Sequence, residues 1–278
     1  MTYREAWKIA TIQLKKSGVP EAEHDARELL YHATGMSVND WILRSSEKMT
    51  EKEASLFSSY IGRRAAREPL QQITGVQYFC GLPFHVTKDT LCPRPETEAW
   101  VDAVIPFCKG AKVLDMCTGT GCIAISIAKL AEPASVTAVD LSEAALDVAK
   151  GNAKSNGADV EFIKSDMFAE IKDTYDIIVS NPPYIPAEQM EELMPEVKDF
   201  EPRMALYGGE DGLDFYRILT HEAVKHLRRT SEMGGYLIAE IGFDQGISVP
   251  ELFTGAGFTE VKVIKDYAGL DRVVMGHL

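Results

Sequence analysis

From about residue 93 onward, short apolar runs that read as strands alternate with helical patterns. Strands that alternate with helices form a mostly parallel sheet covered by helices on both faces. Such a sheet binds its ligand beyond the carboxyl ends of its strands. The sequence therefore predicts an α/β domain. The expected strands are 112–115, 135–139, 160–164, 175–180, 235–240, 258–264 and 271–276, and the expected helices between them are 121–131, 142–156 and about 213–228.

Polar residues stand where four of these strands end. Asp115, Asp140, Asp166 and Asn181 each close or directly follow a predicted strand. Because the carboxyl ends of parallel strands meet at one edge of the sheet, these side chains are expected at a common ligand site.

The segment 115–121, with the sequence Asp-Met-Cys-Thr-Gly-Thr-Gly, joins the first strand to its helix. Its glycines allow close approach of a ligand, and the helix N-terminus attracts a carboxylate or phosphate. The segment from Gly119 to Ala124 also fits the pattern G-x-G-x-x-G/A of NAD-binding dehydrogenases, so the loop could bind either NAD or S-adenosylmethionine. Asp140, 21 residues after Gly119, suits the ribose of either cofactor. Asp115 favours S-adenosylmethionine, because that cofactor carries an ammonium group and NAD does not.

Asp166-Met167-Phe168 follows the third strand. The acid at this position can accept a hydrogen bond from an adenine amino group, while Phe168 or Met167 lies against the ring. For Phe168 the alternative is ordinary packing in the core.

Asn181-Pro182-Pro183-Tyr184 follows the fourth strand. An NAD-dependent dehydrogenase has no use for this tetrapeptide, which is a second argument against NAD as the ligand. The prolines fix the backbone, so that the Asn181 side-chain oxygen and the Pro182 carbonyl can both face one ligand. Two acceptors suit the two hydrogens of a planar –NH2 group, and Tyr184 offers a face for stacking. Such a nitrogen is a poor nucleophile, and positioning alone can supply roughly 7–11 kcal/mol. The alternative is a plain turn, which the position at a strand end disfavours.

Charge is unevenly distributed along the chain. Residues 1–90 hold 12 Lys and Arg against 11 Asp and Glu, and the remainder holds 17 against 31, so the net charges are +1 and -14. A strongly acidic major part does not suit nucleic-acid binding, which depends on Lys and Arg at phosphates. It suits a soluble enzyme or one with a basic protein partner.

Other features of the sequence point to an ordinary intracellular protein. No run approaches 18 apolar residues, and the first eight residues interleave charged with apolar ones, so we expect a cytoplasmic protein without a membrane segment. Five cysteines without a C-x-x-C pair predict free thiols and no metal site.

The first 70 residues are predicted to be helical, with helices near 6–14, 20–34 and 38–42 and a fourth that starts with the capping box Thr50–Glu53. Three arginines, Arg63, Arg64 and Arg67, end the fourth helix. They either complement its dipole or form a docking patch for an acidic or phosphate-bearing partner. Residues 71–92, including Gln71 and Ile73, resemble short strands of a β-hairpin connector.

The chain resembles the HemK/PrmC family, the peptide chain release factor glutamine N5-methyltransferases, over essentially its whole length. Each motif is modest alone, and their order and spacing together are specific. The motifs are Pro93-Arg94-Pro95-Glu96-Thr97-Glu98, Val113–Gly121, Asn181-Pro182-Pro183-Tyr184-Ile185 and Glu201-Pro202-Arg203-Met204-Ala205-Leu206 leading to Gly208-Gly209.

The resemblance implies three parts: a helical domain at 1–70 that recognises the release factor, a β-hairpin connector at 71–92, and a Rossmann-like seven-stranded class I methyltransferase domain at 93–278 with its last strand antiparallel. It also implies S-adenosyl-L-methionine as cofactor and the glutamine of a Gly-Gly-Gln loop in class I release factors as substrate. Separately, the acidic charge predicts no direct binding of nucleic acid, and we expect a monomer.

The resemblance also implies roles for single residues. Arg94, Thr97 and Glu98 would help to close the pocket. The cofactor would contact Cys117, Thr118, Gly119, Thr120, Gly121, Asp140, Phe168 and Asn181. The glutamine and its chemistry would depend on Asn181, Pro182, Pro183 and Tyr184.

Cys117 departs from the family, which has glycine at this position. A positive φ would cost a cysteine about 1–2 kcal/mol, so we expect a backbone there that tolerates a side chain.

Three other functions compete with this interpretation. An adenine-N6 DNA methyltransferase uses the same tetrapeptide on a flipped base, but the acidic charge opposes it. A ribosomal-protein glutamine methyltransferase is a close relative, and the Arg-Pro-Glu-Thr-Glu run of residues 94–98 favours the release factor instead. A non-catalytic module that binds S-adenosylmethionine would not need the acceptor pair at Asn181 and Pro182.

Overall fold

The computed structural model describes residues 1–228 and 235–278, which form two compact units. Residues 1–75 and 194–200 make up the helical unit, and residues 76–193 and 201–278 make up the sheet unit. The helices are α1 (Tyr3–Lys16), α2 (Ala22–Thr34), α3 (Val38–Arg44), α4 (Glu51–Ala65), α5 (Leu70–Thr74), α6 (Pro95–Val104), α7 (Cys122–Leu130), α8 (Glu143–Asn156), α9 (Pro195–Lys198), α10 (Asp214–His226) and α11 (Ser248–Gly255). The strands are β1 (Val76–Phe79), β2 (Leu82–His85), β3 (Lys112–Met116), β4 (Ser135–Asp140), β5 (Glu161–Lys164), β6 (Ile177–Ser180), β7 (Tyr236–Glu240), β8 (Thr259–Lys265) and β9 (Asp271–His277).

The helical unit begins and ends its helices where the sequence signals them. The capping box predicted at the start of α4 is present, with Glu53 N donating to Thr50 Oγ1 at 3.2 Å and Thr50 N donating to Glu53 Oε2 at 2.7 Å. Gly35 ends α2 in the left-handed region, at φ +68°. Apolar side chains of α1, α2, α4 and α5 form its core, with Leu14 and Leu29 fully buried.

The strand prediction for Gln71 and Ile73 is wrong, because both residues lie in α5. Ile73 is buried in the core of the helical unit, and Gly75, at φ +76°, ends the helix. Tertiary packing of one apolar side chain thus decides the conformation of a segment whose local pattern is ambiguous. The predicted hairpin follows directly, as the antiparallel pair β1–β2.

The arginines at the end of α4 bond to carboxylates within the helical unit. Arg64 Nε donates to Asp25 Oδ2 at 2.7 Å, and its Nη2 donates to Glu196 Oε1 at 2.9 Å. Arg67 also pairs with Glu196. The docking-patch alternative is therefore wrong for Arg64 and Arg67, whose guanidinium groups hold the segment 194–200.

The sheet unit contains a seven-stranded sheet in the order β5-β4-β3-β6-β7-β9-β8. The last strand, β9, is antiparallel to its neighbours β7 and β8. The remaining pairs, β3–β4, β3–β6, β4–β5 and β6–β7, are parallel, as predicted. The central strands β3, β6 and β7 are buried almost throughout, as expected of parallel strands covered on both faces. The seven-stranded α/β prediction is confirmed.

The strand order reverses between β3 and β6, which are neighbours although β4 and β5 separate them in sequence. Met116 pairs with Ser180, so Cys117 and Asn181 leave adjacent strands at the same level. A crevice opens at such a reversal, beyond the carboxyl ends of the strands. This topology places the two predicted motifs side by side.

Two further expectations concern cysteines and membranes. The five cysteines are free thiols, and Cys92, Cys108 and Cys122 are buried. Across residues 1–228 and 235–278, every helix is too short or too polar to cross a bilayer.

Candidate functional site

A cavity of about 430 Å³ lies at the carboxyl edge of the sheet. Its wall combines the glycine loop, the ends of β4 and β5, the start of the 181–184 motif and the segment 202–209. The predicted site residues that line it are Cys117, Thr118, Gly119, Thr120, Asp140, Asn181 and Pro183, together with Arg94, Thr97 and Asp166. The predicted residues outside its lining, among those the structure describes, are Asp115, Gly121, Phe168, Pro182, Tyr184 and Glu98.

The two glycines of the loop have different physical roles. Gly119 and Gly121 both have a left-handed backbone, at φ +55° and +79°. A Cβ on Gly121 would lie 2.9 Å from Ile125 and 3.1 Å from Ala149, so this glycine lets α7 and α8 approach the loop. A Cβ on Gly119 would meet open space, and its N–H donates to Asp140 Oδ2 at 2.9 Å.

Cys117 has φ +63°, which contradicts the expectation of a backbone that tolerates a side chain. The chain must turn sharply where it leaves β3, and a non-glycine residue in that conformation costs about 1–2 kcal/mol. Met167, at φ +47°, is strained in the same way, and its Sδ lies 3.8 Å from Cys117 Sγ. Burial raises the pKa of the Cys117 thiol, so the thiol stays neutral and is no nucleophile.

Met167 lines the cavity, whereas Phe168 does not. Phe168 is 6% exposed and stacks on His226, with the ring centroids 5.1 Å apart. Of the two residues predicted to lie against an adenine ring, the geometry therefore favours Met167, and core packing accounts for Phe168. Met167 and Phe168 are both 6% exposed members of the same core cluster, so hydrophobicity alone does not show which of them lines the cavity.

Asp115 in β3 and Asp140 at the end of β4 both accept hydrogen bonds, and Asp115 is fully buried. Asp115 Oδ2 accepts from Thr118 Oγ1 at 2.6 Å and from Ala124 N at 3.2 Å. Its Oδ1 is buried and has no hydrogen-bond partner among the described residues. Burial raises the pKa of Asp115 to about 7, because no cation compensates its charge. Asp140 lines the cavity and suits a ribose, whereas Asp115, which is not part of the lining, can favour a cofactor ammonium group through its charge or a bridging water.

The backbone of the 181–184 motif is held by two glycines and a glutamine. A Cβ on Gly208 would lie 2.7 Å from Tyr184 Cα, and a Cβ on Gly212 would lie 2.4 Å from Tyr184 O, so only glycine fits at both positions. Gln245 Nε2 donates to Tyr184 O and to Gly212 O, at 3.1 Å each. The resemblance pointed to Gly208, but Gly212 and Gln245 were missed.

The 93–98 motif connects the cavity to two other segments. Arg94 pairs with the buried Glu201, which joins this motif to the 201–206 motif. Glu98 Oε1 accepts from Cys80 N at 2.8 Å and so anchors the hairpin rather than the cavity. Thr97 faces Asn181, whose Nδ2 lies 3.2 Å from Thr97 Oγ1.

Comparison with known proteins assigns this combination of segments to a family. Family models for the PrmC N-terminal domain and the Methyltransferase small domain match residues 5–75 and 100–197. A Release factor glutamine methyltransferase of Cereibacter sphaeroides is 43% identical over 282 residues, covering 100% of this chain and 99% of that protein. The chain belongs to the release factor glutamine methyltransferase family. A second such protein, from Agrobacterium fabrum, is 39% identical over 271 residues, covering 94% and 92% of the two chains.

Solved structures of other methyltransferases share this fold. A Pyrococcus furiosus methyltransferase has a TM-score of 0.54 and 20% identity, over 71% of this chain and 89% of that one. A Thermus thermophilus 16S rRNA methyltransferase, determined with AdoMet and guanosine, has a TM-score of 0.52 and 16% identity, over 73% and 49%. At these identities the likeness concerns the fold. Family membership makes this protein an S-adenosylmethionine-dependent methyltransferase, and the resemblance seen in the sequence is confirmed.

The affinity for S-adenosylmethionine should rise with pH between 6 and 7.5. A ligand cation favours ionised Asp115, whose pKa of about 7 means that the group is mostly protonated at the lower limit. Binding then releases a proton, and the affinity gain over this interval is at most about eightfold. Titration calorimetry at several pH values measures it. Asp115→Asn should bind more weakly and with a flat profile, whereas an unchanged slope in that variant would assign the pH effect to another group.

Proposed function

We propose that this enzyme methylates N5 of the glutamine in the Gly-Gly-Gln loop of class I release factors, in the cytoplasm. The observation that carries the proposal is the shared cavity of the glycine loop and the 181–184 motif at the β3–β6 reversal. A methyl donor and an amide nitrogen held there are neighbours. Tight support of the motif backbone by Gly208 and Gly212 fits a site that must hold its acceptors rigidly.

The proposed chemistry depends on orientation. The Asn181 side-chain oxygen and the Pro182 carbonyl accept one hydrogen each from the substrate amide, so that its nitrogen lone pair faces the donor. S-adenosylmethionine supplies an electrophilic methyl group when it is bound. The amide proton becomes acidic only as the new N–C bond forms, so no general base is needed beforehand. Burial raises the pKa of Tyr184, which keeps its phenol neutral and leaves its ring as a stacking face.

We propose that Thr118, Gly119 and Thr120 hold the cofactor's methionine end, with Asp140 at the ribose. Gly121 supports this loop indirectly, through the packing of α7 and α8. Met167 is proposed at the adenine, in place of Phe168. The helical unit, which matches the PrmC N-terminal domain, is proposed to recognise the release factor.

One assay compares the proposed substrate with its two rivals. Purified enzyme receives radiolabelled methyl donor with a release factor, ribosomal protein or duplex DNA, and a release factor with its loop glutamine replaced by alanine serves as control. Label should enter only the unmodified release factor, and mass spectrometry should place it on the glutamine amide. Label on DNA alone or on ribosomal protein alone would overturn the proposal, as would equal labelling of the alanine control.

A further inference from the structure

A buried chain of hydrogen bonds leads from Asn181 into the core of the sheet unit. Asn181 Nδ2 donates to Thr97 Oγ1 at 3.2 Å, and Thr97 Oγ1 donates to Glu240 Oε2 at 2.6 Å. Thr97 and Glu240 are each 2% exposed, so water does not compete for these bonds. The three residues come from the start of α6, the end of β7 and the segment after β6. We call this the Thr97–Glu240 relay.

The direction of the relay follows from which groups can donate. A threonine hydroxyl has one hydrogen, and an ionised carboxylate can only accept. The Thr97 hydrogen is therefore committed to Glu240, and its oxygen is left as an acceptor. An asparagine amide that meets this oxygen must present its –NH2 group, so the Asn181 oxygen points the other way.

Glu240 accepts two further hydrogen bonds, one at the same carboxylate oxygen and one at its backbone carbonyl. Trp100 Nε1 donates to Glu240 Oε2 at 2.9 Å, and Tyr216 Oη donates to the Glu240 carbonyl at 2.7 Å. Burial raises the pKa of Glu240. With two donors on Oε2, a proton taken up by the carboxyl group would reside on Oε1, and Oε2 would still accept from Thr97.

We infer that Thr97 and Glu240 are positioning residues that fix the orientation of the Asn181 amide. The oxygen and nitrogen of an asparagine amide have nearly the same shape, so packing alone does not distinguish its two orientations. With the amide reversed, Asn181 would turn its –NH2 group toward the substrate –NH2 group, and two donors would face each other. The inference rests on the proposed acceptor role of Asn181 and explains how that role is enforced.

The test compares Thr97→Val with Thr97→Ser in the full-length enzyme. Valine keeps the shape and removes the acceptor, which should lower kcat on a release factor by about 10- to 100-fold, the size expected for one buried hydrogen bond. Serine keeps the hydroxyl and should restore kcat to within about threefold. The Kd for S-adenosylmethionine and the KM for the release factor should change little in both variants. Wild-type kcat in Thr97→Val would overturn the inference.

Two further comparisons separate orientation from general support of the core. Trp100→Phe removes the other hydrogen bond to Glu240 Oε2 and leaves the relay intact, so its kcat should stay near wild type. An equal loss of kcat in Trp100→Phe and Thr97→Val would reduce the relay to structural support and overturn the inference. If Thr97→Val does not fold, Glu240→Gln and Glu240→Met also compare a relay with and without the Thr97–residue 240 hydrogen bond. Glutamine still accepts from Thr97 and methionine does not, so equal kcat in these two variants would also overturn it.

Asn181→Ala distinguishes failure of the inference from failure of the proposed function. If Asn181→Ala loses activity while Thr97→Val keeps it, the acceptor role stands and the relay is wrong. If Asn181→Ala itself keeps wild-type kcat, the acceptor role on which the relay depends is wrong.

Discussion

Replacing Asn181 with alanine should lower kcat on a release factor by about 100-fold or more. The substitution removes one of two proposed acceptors, and a poorly nucleophilic amide nitrogen then loses the orientation on which its reactivity depends. Misplacement of a reacting group by about 1 Å alone can cost about 100-fold. Cofactor binding should largely survive, because the glycine loop and Asp140 are unchanged. Initial rates with radiolabelled donor and calorimetry with S-adenosylmethionine measure the two effects.

Asn156→Ala is a matched control for this substitution. It removes the same type of side chain from the end of α8, where Asn156 Nδ2 donates to the Pro83 carbonyl at 2.8 Å. Because Asn156 is not in the cavity lining, kcat should stay within about twofold of wild type. An unchanged rate in Asn181→Ala would show that the acceptor site lies elsewhere.

The sequence predicted those parts of the site that depend on strand ends. Asp140 and Asn181 follow predicted strands, and parallel strands bring their carboxyl ends to one edge of the sheet, so periodicity alone located the cavity. The start of α4 was predictable for a similar reason, since its capping box and the helix turn that the box begins lie within four residues.

Features that depend on the backbone and on distant contacts could not be predicted in this way. The positive φ of Cys117 and Met167 depends on how the chain leaves the sheet, and neither residue type signals it. Gln245 supports Tyr184 from 61 positions away, and Thr97 meets Glu240 across 143. No local pattern connects residues so far apart, so these contacts require the folded structure.

The ion pairs of Arg64 also join residues far apart in sequence, and their loss is the largest stability effect that we expect. Arg64 is 6% exposed at its side chain, and it separates two carboxylates, Asp25 and Glu196, that are 7% and 13% exposed. Burial by itself would raise the pKa of Glu196, but its hydrogen bonds with Arg67 and Arg64 outweigh burial, so that the net shift is downward. Both carboxylates therefore depend on guanidinium groups for compensation of their charge.

Arg64→Met should lower the free energy of unfolding by about 3–5 kcal/mol, because it leaves a buried carboxylate without its partner. Urea denaturation of the full-length chain measures this loss. Arg44→Met is the matched control, since the Arg44–Glu47 pair is 45% and 53% exposed, and an exposed pair contributes about 0–1 kcal/mol. Adding Asp25→Leu to Arg64→Met should recover part of the loss, because it removes the uncompensated charge. A loss below about 1 kcal/mol in Arg64→Met would mean that water reaches these carboxylates, and the segment 194–200 would then not depend on Arg64.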